Sequence, residues 1–175
     1  MSDDPISAES WWQRRATVVL ALAELIPSER LPTGERAALR RLAPDDYAAS
    51  PAFWRLMIER VPEELRQTLA AESRWAMLLH GLAEVHQTHQ QKEKLGRVLA
   101  ETNWSEARME QLLRARDAQF WPTLRRMWAV LAVHARPLDW VDAADFVLAD
   151  SESAAERCRH RIARDYYTML ARPAP

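Results

Sequence analysis

The chain has 175 residues, 48% hydrophobic and 28% charged, with 24 Lys or Arg against 25 Asp or Glu and a formal charge of −1. That balance describes a globular domain with one sizeable core, or two small lobes sharing one; it excludes disorder and a global basic field for non-specific nucleic-acid binding. A single cysteine, Cys158, excludes an intramolecular disulfide and any cysteine zinc finger.

Three glycines, abundant Ala, Leu, Arg and Glu, and no sustained apolar/polar alternation predict an all-α fold of about eight to nine helices. The start, MSDDPISAES, has neither a basic nor an apolar segment of the secretory kind. The longest apolar run, Ala16 to Ile26, is broken by Thr17 and Glu24 and is too short for a bilayer, so a cytoplasmic chain is expected. Ser7 or Ser10 can cap a first helix over 8–26, with Trp12, Val19, Leu22 and Ile26 on one face and Arg14 and Arg15 off it. After Pro27 and Pro32, Thr33 caps a short helix whose inner stripe is Ala38, Leu39 and Leu42, leaving Arg36, Arg40 and Arg41 at the flank or outside. APDDYAASP reads as a loop, and Ser50-Pro51 starts a helix that packs Phe53, Leu56 and Met57. Pro62 restarts a long helix to about Val85, with Leu65, Leu69, Trp75, Leu78, Leu79 and Leu82 toward the core.

HQTHQQKEK, 86–94, is polar and without period, and it divides an N-terminal helical lobe, 1–90, from a C-terminal one, 91–175. The second lobe reads as helices over 95–101, 105–116, 121–135, 139–149 and 153–171, with Asp139 as a cap. In the last of these Cys158, Ile162 and Met169 face inward, while Arg157, Arg161 and Arg164 recur along one edge.

Charge is unevenly spread. Residues 1–90 carry 10 basic and 13 acidic side chains, residues 91–175 carry 14 and 12, and 22 of the 24 cations are arginine. Arginine's planar fork suits phosphate and carboxylate alike. The surplus concentrates in 92–126, where Lys92, Lys94, Arg97, Arg108, Arg114, Arg116, Arg125 and Arg126 face Glu93, Glu101, Glu106, Glu110 and Asp117. Bases could stack on exposed tryptophans; Trp12, Trp75 and Trp128 lie on apolar faces and read as core, leaving Trp104 and Trp121 for that role.

Catalytic signatures are missing. No glycine-rich phosphate loop and no Gly-x-Ser-x-Gly occurs. Cys158 on an inner stripe reads as inert. His80, Glu84, His86 and His89 form a Glu-x-His-x-x-His group whose spacing matches no metal-binding helix motif, so a polar linker is the better reading than a metal-dependent helical enzyme. Neither catalysis, a cofactor nor a metal is expected.

The order Leu95-Gly96-Arg97, Ser105-Glu106-Ala107-Arg108, Leu112-Leu113-Arg114-Ala115 and Leu124-Arg125-Arg126, followed by Pro137-Leu138-Asp139-Trp140 and Arg164-Asp165-Tyr166-Tyr167, resembles the small subunit of the type I-E CRISPR surveillance complex Cascade (the Cse2/CasB family). Pro51-Ala52-Phe53-Trp54-Arg55-Leu56 fits the same pattern, and the likeness runs from Gly34 to Tyr167. It implies a non-catalytic, two-lobed helical subunit present as two copies head to tail. Implied partners are the backbone and large subunits of a crRNA-guided complex and the target and displaced non-target DNA strands. Positions matching the family's basic residues are Arg41, Arg97, Arg108 and Arg126, then Arg157 and Arg161; Lys94 stands where the family has a longer basic loop. The rival reading is a helical adaptor whose arginines meet only protein carboxylates.

Overall fold

The computed structural model describes residues 6–172, with side chains from Trp11 onward, so the Ser7 or Ser10 cap lies outside the described side chains. Among these residues are nine α-helices: α1 Ile6–Leu25, α2 Thr33–Leu39, α3 Pro51–Arg60, α4 Leu69–Val85, α5 Leu95–Glu101, α6 Glu106–Arg114, α7 Asp117–His134, α8 Trp140–Val147 and α9 Glu152–Leu170. Most begin on an oxygen that accepts an otherwise orphaned N–H. Ser50 takes the N–H of Phe53 with Pro51 behind it, Thr68 that of Ala71, Ser105 that of Arg108, and Ser151 that of Ala154.

Two starts differ from the sequence reading. Pro62 opens only a 3₁₀ turn, Glu63–Leu65, and α4 begins at Leu69 behind the Thr68 cap. The break is fixed from its sides, because Trp75 Nε1 donates to Leu65 O at 2.9 Å and Arg66 Nε to Val61 O at 3.0 Å. Leu69 consequently stands outside the core, 78% exposed. Helix α7 starts at Asp117 rather than at Trp121, and Pro122 lies inside it.

One apolar cluster runs from Val18 in α1 to Tyr166 in α9 and takes in residues from both sides of position 90. Its helices pack chiefly as α5 on α9, α4 on α7 and α1 on α8. Both close crossings use a glycine. A Cβ on Gly81 would meet the Trp128 ring at 2.5 Å, and one on Gly96 would meet the Ile162 carbonyl oxygen at 2.2 Å. Residues 86–94 are no free linker. Gln90 N donates to Leu138 O at 3.1 Å, Leu138 N to Thr88 O at 3.4 Å and Asp139 N to Glu93 O at 2.8 Å, while Trp140 Nε1 donates to Gln87 O at 3.0 Å. The stretch is stitched to the Pro-Leu-Asp-Trp segment that opens α8.

Helix α1 presents two departures. Arg15, expected off the apolar face, is 3% exposed, and Trp12, expected in the core, is 43% exposed. The two are coupled: the Arg15 guanidinium lies 4.0 Å from the Trp12 ring centre and 4.8 Å from that of Trp11, while Nη2 reaches Asp145. Arg36, placed on the flank, folds back onto the chain between α1 and α2, donating to Ile26 O at 2.8 Å and Ser28 O at 2.5 Å.

Two substitutions test this packing. Ala135 ends α7 exposed and in the left-handed region at φ 48, so Ala135→Gly should raise stability by about 1 kcal/mol in urea denaturation. Gly96→Ala should lower it by about 1–3 kcal/mol, since the methyl group forces α5 off the α9 backbone.

Candidate nucleic-acid interface

Which cations remain for a ligand depends first on which ones the fold consumes. Asp139, Asp142 and Asp145 recur every third residue at the start of and along α8, and each takes a cation from a different element. Asp139 caps α8, accepting from Val141 N and Asp142 N at 3.1 Å, and also accepts Lys94 Nζ at 2.6 Å. The buried Asp142 accepts Leu95 N at 2.9 Å and lies 2.7 Å from Arg161 Nε. Asp145 holds Arg15 Nη2 at 2.5 Å and stands 3.8 Å from Arg161 Nη2. Burial lowers the proton affinity of both arginines. At Arg161 the neighbouring Asp142, Cys158 and Asp145 outweigh it and the pKa is raised, whereas at Arg15 burial prevails and the pKa falls. Lys94 and Arg161, two of the seven expected ligand contacts, are thus turned onto carboxylates of the fold.

Arg97 is partly engaged. Its Nε donates to Glu101 at 3.1 Å, and that bond, with the Glu93 charge, raises its pKa. Arg97 and Lys94 do meet, lining one shallow groove of about 130 Å³ between α5 and α9 with Asp165, Thr168, Met169 and Arg172. The other four stand apart from these two. Arg41 follows α2, Arg108 lies on α6, Arg126 on α7 and Arg157 on α9; all are exposed, and none has a carboxylate partner among the described residues. Arg157 donates to Ser153 Oγ at 2.7 Å, and Arg108 lies 5.7 Å from the Trp104 ring centre.

A further cationic junction went unread in the sequence. His80, buried on α4, meets the Trp121 ring edge-on at 4.9 Å. Burial lowers its pKa; Arg125 on α7 lowers it further, and Glu84 and the Arg40 backbone oppose them. Arg40, at the end of α2, and Trp121, in α7, thus both touch α4 within one turn of each other. Arg40 spends one N–H on Ala83 O at 2.9 Å, and neither Arg40 nor Arg125 has a carboxylate partner among the described residues. Only the unbroken Arg pairs in the sequence hint at this.

The aromatic expectation divides. Trp75 and Trp128 are core, as expected. Trp104 is 3% exposed, closed over by α9 as Tyr166 Oη donates to its carbonyl, so it offers no stacking face. Trp121 is half-buried against His80. The histidines have local tasks: His86 ends α4 in the left-handed region at φ 56, and His89 Nδ1 accepts Trp140 N at 3.2 Å. No group of three or more His, Cys, Asp or Glu arranged for a metal occurs among the described residues.

Residues 35–167 match the family model of the CRISPR-associated protein Cse2. Among solved structures, the chain is similar to one in Escherichia coli Cascade bound to a PAM-containing dsDNA target. Identity there is 29%, over 85% of this chain and 93% of that one, with a TM-score of 0.66. It shares its fold with CasB from Thermobifida fusca at 20% identity, over 89% and 98% of the two chains, with a TM-score of 0.64. No curated protein sequence matches. With three quarters of its length under the family model, the chain belongs to the Cse2 family of CRISPR-associated proteins.

Proposed function

We propose that the chain is a non-catalytic small subunit of a type I-E, crRNA-guided surveillance complex. Its exposed arginines brace the target strand and hold the displaced non-target strand while the R-loop forms. The family match and the likeness to a chain of a DNA-bound Cascade support the place in the complex. The observation that carries the DNA contact is the division of cations: Arg41, Arg108, Arg126 and Arg157 reach solvent without a carboxylate partner among the described residues, while Lys94 and Arg161 are held on buried aspartates. R-loop formation exchanges duplexes of nearly equal stability, so a few backbone contacts to the separated strands suffice to tip it. Arg40 and Arg125 join the contact set on this reading, and Arg97 contributes the donors Glu101 leaves free.

A near-neutral chain has little field to gather DNA alone; binding would come through the effective concentration that assembly with backbone and large subunits, and a second copy, provides. No helix among the described residues is long and apolar enough to cross a membrane, in keeping with a cytoplasmic complex. The same exposed arginines would serve an adaptor that meets only protein, and salt dependence separates the two readings.

Arg108→Ala with Arg126→Ala should weaken binding to single-stranded DNA or an R-loop about tenfold and flatten the log-log salt slope by about 2, with melting unchanged. An unaltered titration would instead favour the adaptor. Arg161→Ala should behave differently, costing about 2–3 kcal/mol of folding stability in denaturant titration because it strands the buried Asp142 charge.

A further inference from the structure

Two clefts meet at Arg74 on α4. One, of about 330 Å³, lies between α1 and the start of α4, walled by Trp11, Trp75, Leu65 and Leu148 with Arg15 in its lining. The other, of about 450 Å³, is bounded by the first residues of α4, α7 and α9, with Phe120, Phe146 and Met77 as its apolar lining. Ala70, Arg74 and Asp150 line both. Arg74 is half-buried, and its one bond is a long one, Nη1 to Val147 O at 3.4 Å; no carboxylate pairs with it among the described residues. Burial lowers its pKa, Asp150 opposing and Arg159 adding to the fall.

Two almost fully buried guanidiniums flank it with donors unspent: Arg15, 3% exposed, with Nη1 unpartnered, and Arg159, 6% exposed, with Nε unpartnered. The first residues of α7 and α9 line the larger cleft, and α7, unlike α9, has no side-chain cap. A partly desolvated cation of this kind is costly until an anion reaches it. The rim selects the anion. In the larger cleft Arg74, Arg116 and Arg159 are balanced by Asp117, Asp150 and Glu152, so no cationic surplus gathers a polyanionic backbone, while the apolar walls, with Leu69 exposed one residue before Ala70, suit a single carboxylate carried between apolar side chains.

We propose that this double cleft receives an acidic, apolar-flanked segment of a partner protein, its carboxylate seated on Arg74. The partner's place rests on the complex-subunit reading; the cleft's chemistry does not, nor does it use the DNA-facing arginines.

The test uses the full chain and two probes, acetyl-Leu-Glu-Phe-amide and acetyl-Leu-Gln-Phe-amide, followed by amide NMR. The glutamate peptide should shift Ala70, Ser73, Asp117 and Ser151, at least tenfold more tightly than the glutamine peptide. Arg74→Gln should abolish that preference and Arg74→Lys restore part of it. In a complex reconstituted with guide RNA and the other subunits, Arg74→Gln should cut retention of the chain at least tenfold while leaving its oligonucleotide binding alone. No shifts, equal shifts from both peptides, or wild-type retention of Arg74→Gln would overturn the proposal. So would loss of oligonucleotide binding in Arg74→Gln, which would make the cleft a phosphate site. If the wild-type chain itself is not retained, the complex reading fails, and the peptide titration alone decides the cleft.

Discussion

The fold turns on three ion pairs that α8 and its cap form with other elements, each with a buried member: Asp139, Asp142, and the Arg15 that Asp145 meets. A buried charge is tolerated only when an opposite charge and hydrogen bonds meet it, and Asp139, Asp142 and Asp145 draw their cations from the lead into α5, from α9 and from α1. Asp142 does the most, because it also accepts the first N–H of α5. A shift of α5, α8 or α9 against the others would strand a charge. The spacing of three makes this possible: successive aspartates sit on adjoining strips of one helix face, each opposed by a different neighbour. The apolar core supplies most of the stability; the carboxylates fix which helices meet.

This constraint also shapes the surface. Carboxylates and guanidiniums are nearly equal in number, and the interior pairs remove both signs from solvent. What stays outside unpaired is decided by reach, not by sequence position. Arg116 and Arg159 converge on Glu152 and Glu156, and Arg136 joins Arg97 on Glu101, whereas Arg41, Arg108, Arg126 and Arg157 form no ion pair among the described residues. A chain with a formal charge of −1 thus still presents arginines that pair with no carboxylate among the described residues.

The helices were legible in the sequence because their signals are local. Ser50-Pro51, Ser105 and Asp139 mark starts by offering an oxygen to N–H groups two or three residues on, and the apolar stripes of α4 and α9 repeat within a few turns. The candidate site was much less legible, because the fate of an arginine is set at long range. Lys94 and Asp139 are 45 residues apart and Arg15 and Asp145 are 130, so helical phase could place each cation on a flank without showing the carboxylate facing it. The Asp-x-x-Asp-x-x-Asp spacing was a readable clue that α8 would demand cations. Trp104 shows the same limit: its place before a helix suggested exposure, and Tyr166, 62 residues later, closes it.

The strap between 86–94 and 138–140 bears on how such a body could follow a nucleic-acid strand. A loose linker would let the halves carrying Arg41 and Arg126 drift, and phosphate contacts made from drifting halves lose in ordering entropy what they gain in charge. Here Gln90 and Thr88 pair with Leu138, Glu93 with Asp139 and Gln87 with Trp140, all on backbone or buried groups. Helix α4, at one end of the strap, packs on α7 through Gly81, and α5, at the other, packs on α9 through Gly96. Arginines from both halves of the chain are therefore carried on one rigid frame, their spacing set before any ligand arrives. On the proposed function, preorganisation of that kind would let a surface with few charges contribute to an R-loop whose energy balance is already close to even.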